Sequence, residues 1–105
     1  MGKLVRDNIP SIILEHNKFP SCYQMSIEDY KNALVLKLQE EVQEYIEAED
    51  EPSQIEELAD IYEVLDAICV TYNIQDKVAD FKARKAKVKG KFERRIFLEK
   101  VDKRS

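Results

Sequence analysis

Two groups of acidic residues stand at helical spacing near the middle of the chain. The first is Glu40-Glu41-x-x-Glu44 and the second is Glu57-x-x-Asp60. Residues three or four positions apart lie side by side on a helix, so each group can direct carboxylate oxygens to one region. Carboxylates gathered away from water must be neutralised by protons, basic side chains or a metal ion. Ligation by oxygen alone favours Mg²⁺ or Mn²⁺ over Zn²⁺.

The apolar pattern around these residues places part of the acidic set among core positions. At about 100° per residue, Glu41 falls near the middle of an apolar stripe, with Glu44 at its edge and Glu40 further round. In the next helix, Glu57 extends an apolar row by one turn, and Asp60 is its neighbour. The first stripe contains Ile27, Tyr30, Leu34, Leu38, Tyr45 and Ala48, and the second row contains Ile61, Val64 and Ile68.

A short turn connects the two helices that carry the acidic groups. Residues 49–52 break the helical pattern, and Ser53 with Glu56 has the spacing of a capping box for the second helix. Ser26 can cap the first helix, with Asp29 three residues later. Helices joined by a short turn are antiparallel neighbours. We therefore expect the two acidic groups to face each other.

Shorter elements flank this hairpin. Asn8 can cap a brief helix with Pro10 in its first turn. A third helix begins near residues 73–75, runs to about Lys89 and is stopped by Gly90. Beyond it we expect an extended tail that packs back. The predicted fold is all-α, an antiparallel helical bundle in a single domain over residues 1–105. It comprises a short N-terminal helix, two long helices in a hairpin, a third helix and an extended C-terminal tail.

The histidine content argues against the other common metal site of helical bundles. Di-iron centres in bundles draw on Glu-x-x-His pairs. His16 is the only histidine, and it does not follow a glutamate by three positions, so we expect a surface residue. The alternative to a metal site is a hairpin whose acids lie at the rim and pair with lysines.

Composition narrows the class of protein further. The chain has 105 residues, 44% hydrophobic and 36% charged, which favours a folded domain over a disordered chain. A net charge of −4 disfavours binding to polymeric nucleic acid. We find no signal peptide or membrane-spanning run, and two cysteines make no disulfide framework. We expect a reduced, cytoplasmic protein that does not bind membranes.

Two further patterns bear on ligands and assembly. Basic residues collect in 82–95, where they form either a solvated helix face or a contact for a small phosphorylated ligand. Lys85 takes a place in the apolar stripe of the third helix, which contains Ile74, Val78, Phe81 and Val88. The second long helix is apolar around most of its circumference, which predicts a homo-oligomer, most simply a dimer.

The acidic motifs resemble the signature of the all-α nucleoside triphosphate pyrophosphatases, which include MazG-like enzymes and phosphoribosyl-ATP pyrophosphohydrolases. The opening segment KLVRDNIP, residues 3–10, resembles the start of the MazG-like house-cleaning branch. The closing Lys85-x-x-x-Lys89-Gly90-Lys91-Phe92 resembles the end of that branch. Lys89 stands where the branch usually has arginine, and Lys91 where it has a second glycine. The resemblance spans nearly the whole chain.

The resemblance implies hydrolysis of a nucleoside triphosphate between its α- and β-phosphates, giving a monophosphate and pyrophosphate. It implies that Glu41, Glu44, Glu57 and Asp60 hold Mg²⁺, with Mn²⁺ as an alternative. Glu40 and Glu41 are the catalytic candidates, with Glu40 as a supporting ligand or a residue that orients water.

The implied substrate is a small nucleotide, and its phosphates need cations. The candidates for this contact are Lys85, Lys89, Lys3 and Arg6. A different class of function also fits the fold: a non-catalytic helical module that binds a nucleotide or a protein partner. An acidic helical adaptor without a ligand is the third alternative.

Overall fold

A computed structural model describes residues 2–103 of the chain. Its helices are α1 (Ile9–Glu15), α2 (Ile27–Glu47), α3 (Glu51–Thr71) and α4 (Gln75–Lys89). No strand occurs between residues 2 and 103, so the all-α prediction is confirmed. The predicted N-terminal segment includes Met1, and the predicted C-terminal tail includes Arg104 and Ser105. These three residues lie outside the part of the chain that the structure describes.

Side-chain caps fix where the two long helices begin. The Ser26 hydroxyl accepts a hydrogen bond from the Asp29 N–H at 3.2 Å, as its sequence predicts. Helix α3 begins earlier than predicted, because Asp50 is the cap and accepts from the Ser53 N–H at 2.8 Å. The prediction of a capping box at Ser53 is therefore wrong. Pro52 lies in the first turn of α3, where a missing N–H costs no hydrogen bond.

The turn between α2 and α3 is only residues 48–50, and the two helices pack against each other as the predicted hairpin. Leu34 of α2 and Val64 of α3 are the buried apolar side chains of the described chain. Burying such a side chain contributes about 1.5–3 kcal/mol. Glu41 is buried as deeply, with 4% of its surface exposed. A carboxylate gains no free energy from leaving water, so the Glu41 side chain needs a hydrogen-bond donor, a proton or a cation beside it.

One side of α3 presents apolar residues without cover in the described chain. The exposed members, which we call the α3 stripe, are Ile55, Leu58, Tyr62 and Leu65. Their spacing alternates between three and four residues, which is the pattern of a helix–helix seam. Tyr45, expected in the core of the hairpin, is also exposed, as is Ile27.

The chain divides into two compact units, one ending at Asn73 and the other beginning at Ile74. In the second unit, Gly90 ends α4 with a φ of 83°, a left-handed conformation that glycine adopts without strain. Residues 91–103 form no helix or strand, and all of them are exposed. The prediction that this tail packs back is therefore wrong. The exposed tail includes the apolar side chains of Phe92, Ile96, Phe97, Leu98 and Val101.

The remaining local predictions are mixed. Asn8 occupies the position before α1, but its side chain makes no capping hydrogen bond. His16 is exposed as expected, with Nδ1 2.8 Å from the carbonyl oxygen of Ile12. Cys22 and Cys69 are both free thiols. Across residues 2–103, none of the helices combines the length and apolar character needed to cross a membrane.

Candidate metal centre

Helix α2 brings the first acidic group to one place. One carboxylate oxygen from each of Glu40, Glu41 and Glu44 lies within 4.8 Å of the other two. The cause is the helix repeat, because Glu40 and Glu41 precede Glu44 by four and three residues, and positions at these spacings are neighbours on a helix surface. Glu41 is buried, whereas Glu40 and Glu44 are half-buried. The group therefore runs from the packed side of α2 toward its edge.

Helix α3 adds the second acidic group to the first. One oxygen from each of Glu41, Glu57 and Asp60 lies within 4.8 Å of the others, with Glu57 and Asp60 half-buried. Glu41 belongs to both groups and links them. The acidic residues singled out from the sequence on both helices therefore converge on one region of the hairpin.

Two oxygens at the centre of this region have no conventional partner. Glu41 Oε2 and Glu57 Oε2 are shielded from solvent and, with both carboxyl groups ionised, have no hydrogen-bond partner among the described residues. A buried carboxylate oxygen without a donor costs free energy. A proton held between the two carboxyl groups or a bound cation relieves that cost.

The two central carboxyl groups differ in their proton affinity. The hydrogen bond to Glu41, together with burial and the nearby Glu44, raises the pKa of Glu57 to about 7. Burial alone would raise the pKa of Glu41, but hydrogen bonds from Glu57 and Lys37 outweigh it and lower that pKa below its ordinary value. At neutral pH without metal, Glu57 is thus partly protonated and Glu41 is ionised. The pair shares one proton.

A lysine that the sequence analysis did not single out neutralises the first group. Lys37 Nζ lies 3.2 Å from Glu41 Oε1 and 3.5 Å from Glu40 Oε2. Burial works against the charge on Lys37, but these contacts outweigh it and raise the pKa of the ammonium. The signal was present in the sequence, since Lys37 precedes the two glutamates by three and four residues.

An arginine from the N-terminal segment neutralises the second group. Arg6 Nη2 lies 2.6 Å from Asp60 Oδ1. Arg6 was predicted as a phosphate contact; its partner in the structure is the Asp60 carboxylate, and the phosphate role stays a prediction. The alternative placed the acids at the rim of the hairpin, paired with lysines. Glu40 and Glu41 do pair with a lysine, but Glu41 is buried, and the partner of Asp60 is an arginine.

A cavity of about 750 Å³ opens beside the carboxylates, between the N-terminal segment and the hairpin. Residues 3–9 form one wall, and Tyr30, Leu34 and Val64 give it an apolar floor. Volumes of this order suit small-molecule ligands. Its charged lining is Lys3, Arg6, Asp7, Lys37, Glu41, Asp60 and Glu63. A ligand in this space would meet both acidic and basic groups.

The predicted phosphate contacts fall in different parts of the chain. Lys3 is exposed and lines the cavity. Lys85 and Lys89 belong to the second unit and are exposed. Lys85 lines a shallow hollow on α4, with Lys77, Lys82 and the apolar residues Ile74, Val78 and Phe81. The hollow contains Ile74, Val78, Phe81 and Lys85 of the predicted α4 stripe but not Val88, and Lys82 borders it as well. The roles of Lys85 and Lys89 stay predictions.

The donor set fits a hard divalent cation. It contains only carboxylate oxygens, which are the ligands that Mg²⁺ and Mn²⁺ prefer. The unpartnered Glu41 Oε2 and Glu57 Oε2 are free acceptors at the point where the two groups meet. Arg6 and Lys37 leave other oxygens of the set available as well. The residues present therefore fit such an ion.

Comparisons of this chain with models of known protein families, with curated proteins and with solved structures found no match. The resemblance to the all-α pyrophosphatases accordingly rests on the motifs at residues 3–10, 40–60 and 85–92.

Proposed function

We propose that the protein is a divalent-metal-dependent nucleoside triphosphate pyrophosphohydrolase. The observation that carries this proposal is the convergence of carboxylates from α2 and α3 around the buried, unpartnered oxygen of Glu41. The motif resemblance supplies the reaction, and the cavity beside the carboxylates offers room for a small ligand.

In the proposed reaction, water adds to the α-phosphorus and the bond to the α–β bridging oxygen breaks. The products are a nucleoside monophosphate, pyrophosphate and a proton. Glu41, Glu44, Glu57 and Asp60 would hold Mg²⁺, or Mn²⁺ in its place. Such an ion supplies charge neutralisation for phosphate oxygens and a more acidic bound water.

The chain's own side chains have distinct parts in this proposal. Glu40 is more accessible than the buried Glu41, with 36% of its side chain exposed, and it orients the attacking water or accepts a proton from it. Glu41 is held in its ionised form and anchors both acidic groups. The basic residues of the cavity wall, Lys3 and Arg6, contact phosphate oxygens.

Pyrophosphate release from a panel of nucleoside triphosphates, with and without Mg²⁺, tests this function. We expect release from at least one nucleotide with Mg²⁺ and none without it. Glu44→Gln should lower the rate by at least about a hundredfold, the usual scale for loss of a charge-stabilising group. The matched control is Glu47→Gln, one turn further along α2, exposed and outside the acidic groups. That variant should keep its activity.

The ion pairs favour a second candidate, a non-catalytic helical module of the same fold. Lys37 and Arg6 already neutralise Glu41 and Asp60 without any metal. In such a module the carboxylates serve the fold alone, and Mg²⁺ would not raise the melting temperature. A melting temperature that rises with Mg²⁺ in the original protein, but not in Glu44→Gln, favours the enzyme.

We also propose that the protein works as a cytoplasmic homo-oligomer, most simply a dimer. The α3 stripe supports this proposal, because four large apolar residues at alternating spacing are exposed along one helix. A second copy of the same helix offers a matching seam, with like residues on both sides. The cellular role that we propose for the enzyme is the house-cleaning of nucleotide pools.

A further inference from the structure

Lys37 contacts carboxylates for which a metal ion would compete. Its ammonium contacts Glu40 and Glu41 at 3.5 and 3.2 Å, and only 18% of its side chain is exposed. These two glutamates belong to the group whose oxygens lie within 4.8 Å of one another. Lys37 is thus the internal cation of the first acidic group, among the residues that the structure describes.

An ammonium and a divalent ion that contact the same carboxylates repel each other. Mg²⁺ takes carboxylate oxygens at about 2.0–2.1 Å. An ammonium that keeps both of its present contacts would then lie within a few ångström of the ion. Like charges at such a distance repel strongly where little water screens them. A divalent ion bound through the unpartnered Glu41 Oε2 therefore weakens the hold of Glu40 and Glu41 on Lys37, which favours release of the ammonium from at least one of them.

The cavity beside the carboxylates provides space into which the released ammonium of Lys37 can turn. Lys37 lines this cavity together with Arg6 and Lys3. A lysine side chain has four rotatable methylene groups and three donors, so it can redirect its charge without moving the backbone. An anionic ligand in the cavity would meet that charge.

We infer that Lys37 is an exchangeable counter-ion. It neutralises Glu40 and Glu41 in the metal-free chain, and it transfers its ammonium to a phosphate oxygen of the ligand when a divalent ion takes those carboxylates. This inference rests on the proposed metal-dependent function and adds a coupling to it. Metal and phosphate ligand bind cooperatively because the metal releases the cation that the phosphate needs.

Because of this coupling, removal of Lys37 should strengthen the binding of Mg²⁺ and weaken the binding of the phosphate ligand. Lys37→Gln deletes the competitor for the carboxylates, so Mg²⁺ alone should bind about five- to tenfold more tightly. The same variant lacks a phosphate contact, so an α,β-methylene nucleoside triphosphate should bind about tenfold more weakly at saturating Mg²⁺. A lysine that only stabilised the fold would not separate these two affinities.

Isothermal titration calorimetry measures both affinities. The matched control is Lys31→Gln, which removes the same charge from α2, where Lys31 lies over the ring of Tyr72. It should change either affinity less than twofold. Lys37→Arg keeps the charge and should keep the Mg²⁺ affinity of the original protein within about threefold. Unchanged or weaker Mg²⁺ binding by Lys37→Gln overturns the exchange.

The original protein provides a second measurement that does not depend on the folding of a variant. The Nζ resonance of Lys37, assigned by its loss in Lys37→Arg, should shift when Mg²⁺ is added. An unmoved resonance at saturating Mg²⁺ overturns the exchange but leaves the metal centre intact. Absence of Mg²⁺ and Mn²⁺ binding to the original protein overturns the proposed function and the exchange together.

Discussion

Arg6 and Asp60 lie 54 residues apart in the chain, yet their side chains meet at 2.6 Å. The contact joins the N-terminal segment to α3 at one of the carboxylates that would hold a metal. Both side chains remain more than a third exposed, so solvent screens the pair and its contribution to global stability is below about 1 kcal/mol. Its effect is local, on the segment that forms one wall of the cavity.

We expect Arg6→Ala to loosen that wall without unfolding the hairpin. Amide hydrogens of residues 3–9 should exchange faster, by about threefold to tenfold, whereas those around Leu34 and Val64 should keep their protection. Hydrogen-exchange mass spectrometry checks both regions. Arg84→Ala, which removes an exposed pair with Asp80 on α4, is the control. Unchanged exchange over residues 3–9 would mean that other contacts hold the segment.

The shared proton of Glu41 and Glu57 predicts how stability changes with pH. The folded pKa of Glu57, about 7, is above its unfolded value of 4.5. Its contribution to the free energy of unfolding is therefore present below pH 4.5 and is lost as the pH rises through 7. Glu41 has a lowered pKa and acts in the opposite direction, with its contribution lost as the pH falls below 4.5. Together they favour maximal stability in mildly acidic solution.

Urea unfolding of the metal-free protein between pH 4.5 and 8 measures this dependence. The variant Glu57→Gln should lose the fall in stability between pH 4.5 and 7, because its side chain does not titrate. The difference between the two proteins reports the Glu41–Glu57 pair, because ionising groups outside this pair are common to both. Parallel profiles would show that Glu57 has an ordinary pKa.

The phosphate contact predicted at Lys85 needs a control other than Lys82. Lys82 and Lys85 border the same shallow hollow, so loss of either can disturb it. We expect Lys85→Ala to lower pyrophosphate release by about tenfold or more, on the scale of a lost charged hydrogen bond. Lys87 does not line the hollow, and Lys87→Ala should keep near-original rates. Equal small effects would identify the basic residues of α4 as a solvated face.

The α3 stripe predicts the outcome of a mass measurement. Light scattering at micromolar concentration should give at least twice the chain mass of 12.3 kDa. Tyr62→Glu places a charge in the middle of the stripe, where 70% of the tyrosine surface is exposed in the single chain, and should yield a monomer. Val70→Glu, on the same helix but outside the stripe, is the matched control. A monomeric mass for the original protein contradicts the dimer.

Sequence periodicity was sufficient to predict the hairpin and the convergence of its carboxylates. Glu41 fell on an apolar stripe by its spacing from Leu34 and Leu38, and burial followed from helix geometry alone. The start of α3 was misplaced because Asp50 and Ser53 are both good caps, and their competition is decided by the backbone conformation of the turn. The tail beyond Gly90 was misjudged because apolar residues alone do not specify what they contact.

The basic partners of the acids were harder to predict than the acids. Lys37 could have been found from its spacing to Glu40 and Glu41, because the contact lies within one helix. Arg6 could not be paired with Asp60 in this way, since no local pattern connects residues so far apart. Contacts within a helix or across a tight turn follow from the sequence, whereas contacts that close long loops require the fold.

The tight turn at residues 48–50 also bears on how the protein folds. It keeps Glu41 and Glu57 close along the chain, so the loss of chain entropy on bringing them together is small. Local contacts of this kind form quickly, whereas the Arg6–Asp60 contact closes a loop of 54 residues and has to wait. We expect the carboxylate pair to assemble early on the folding pathway, while the chain is still open on one side. The nascent hairpin would then already pair Glu40 and Glu41 with Lys37, and Asp60 would gain Arg6 last.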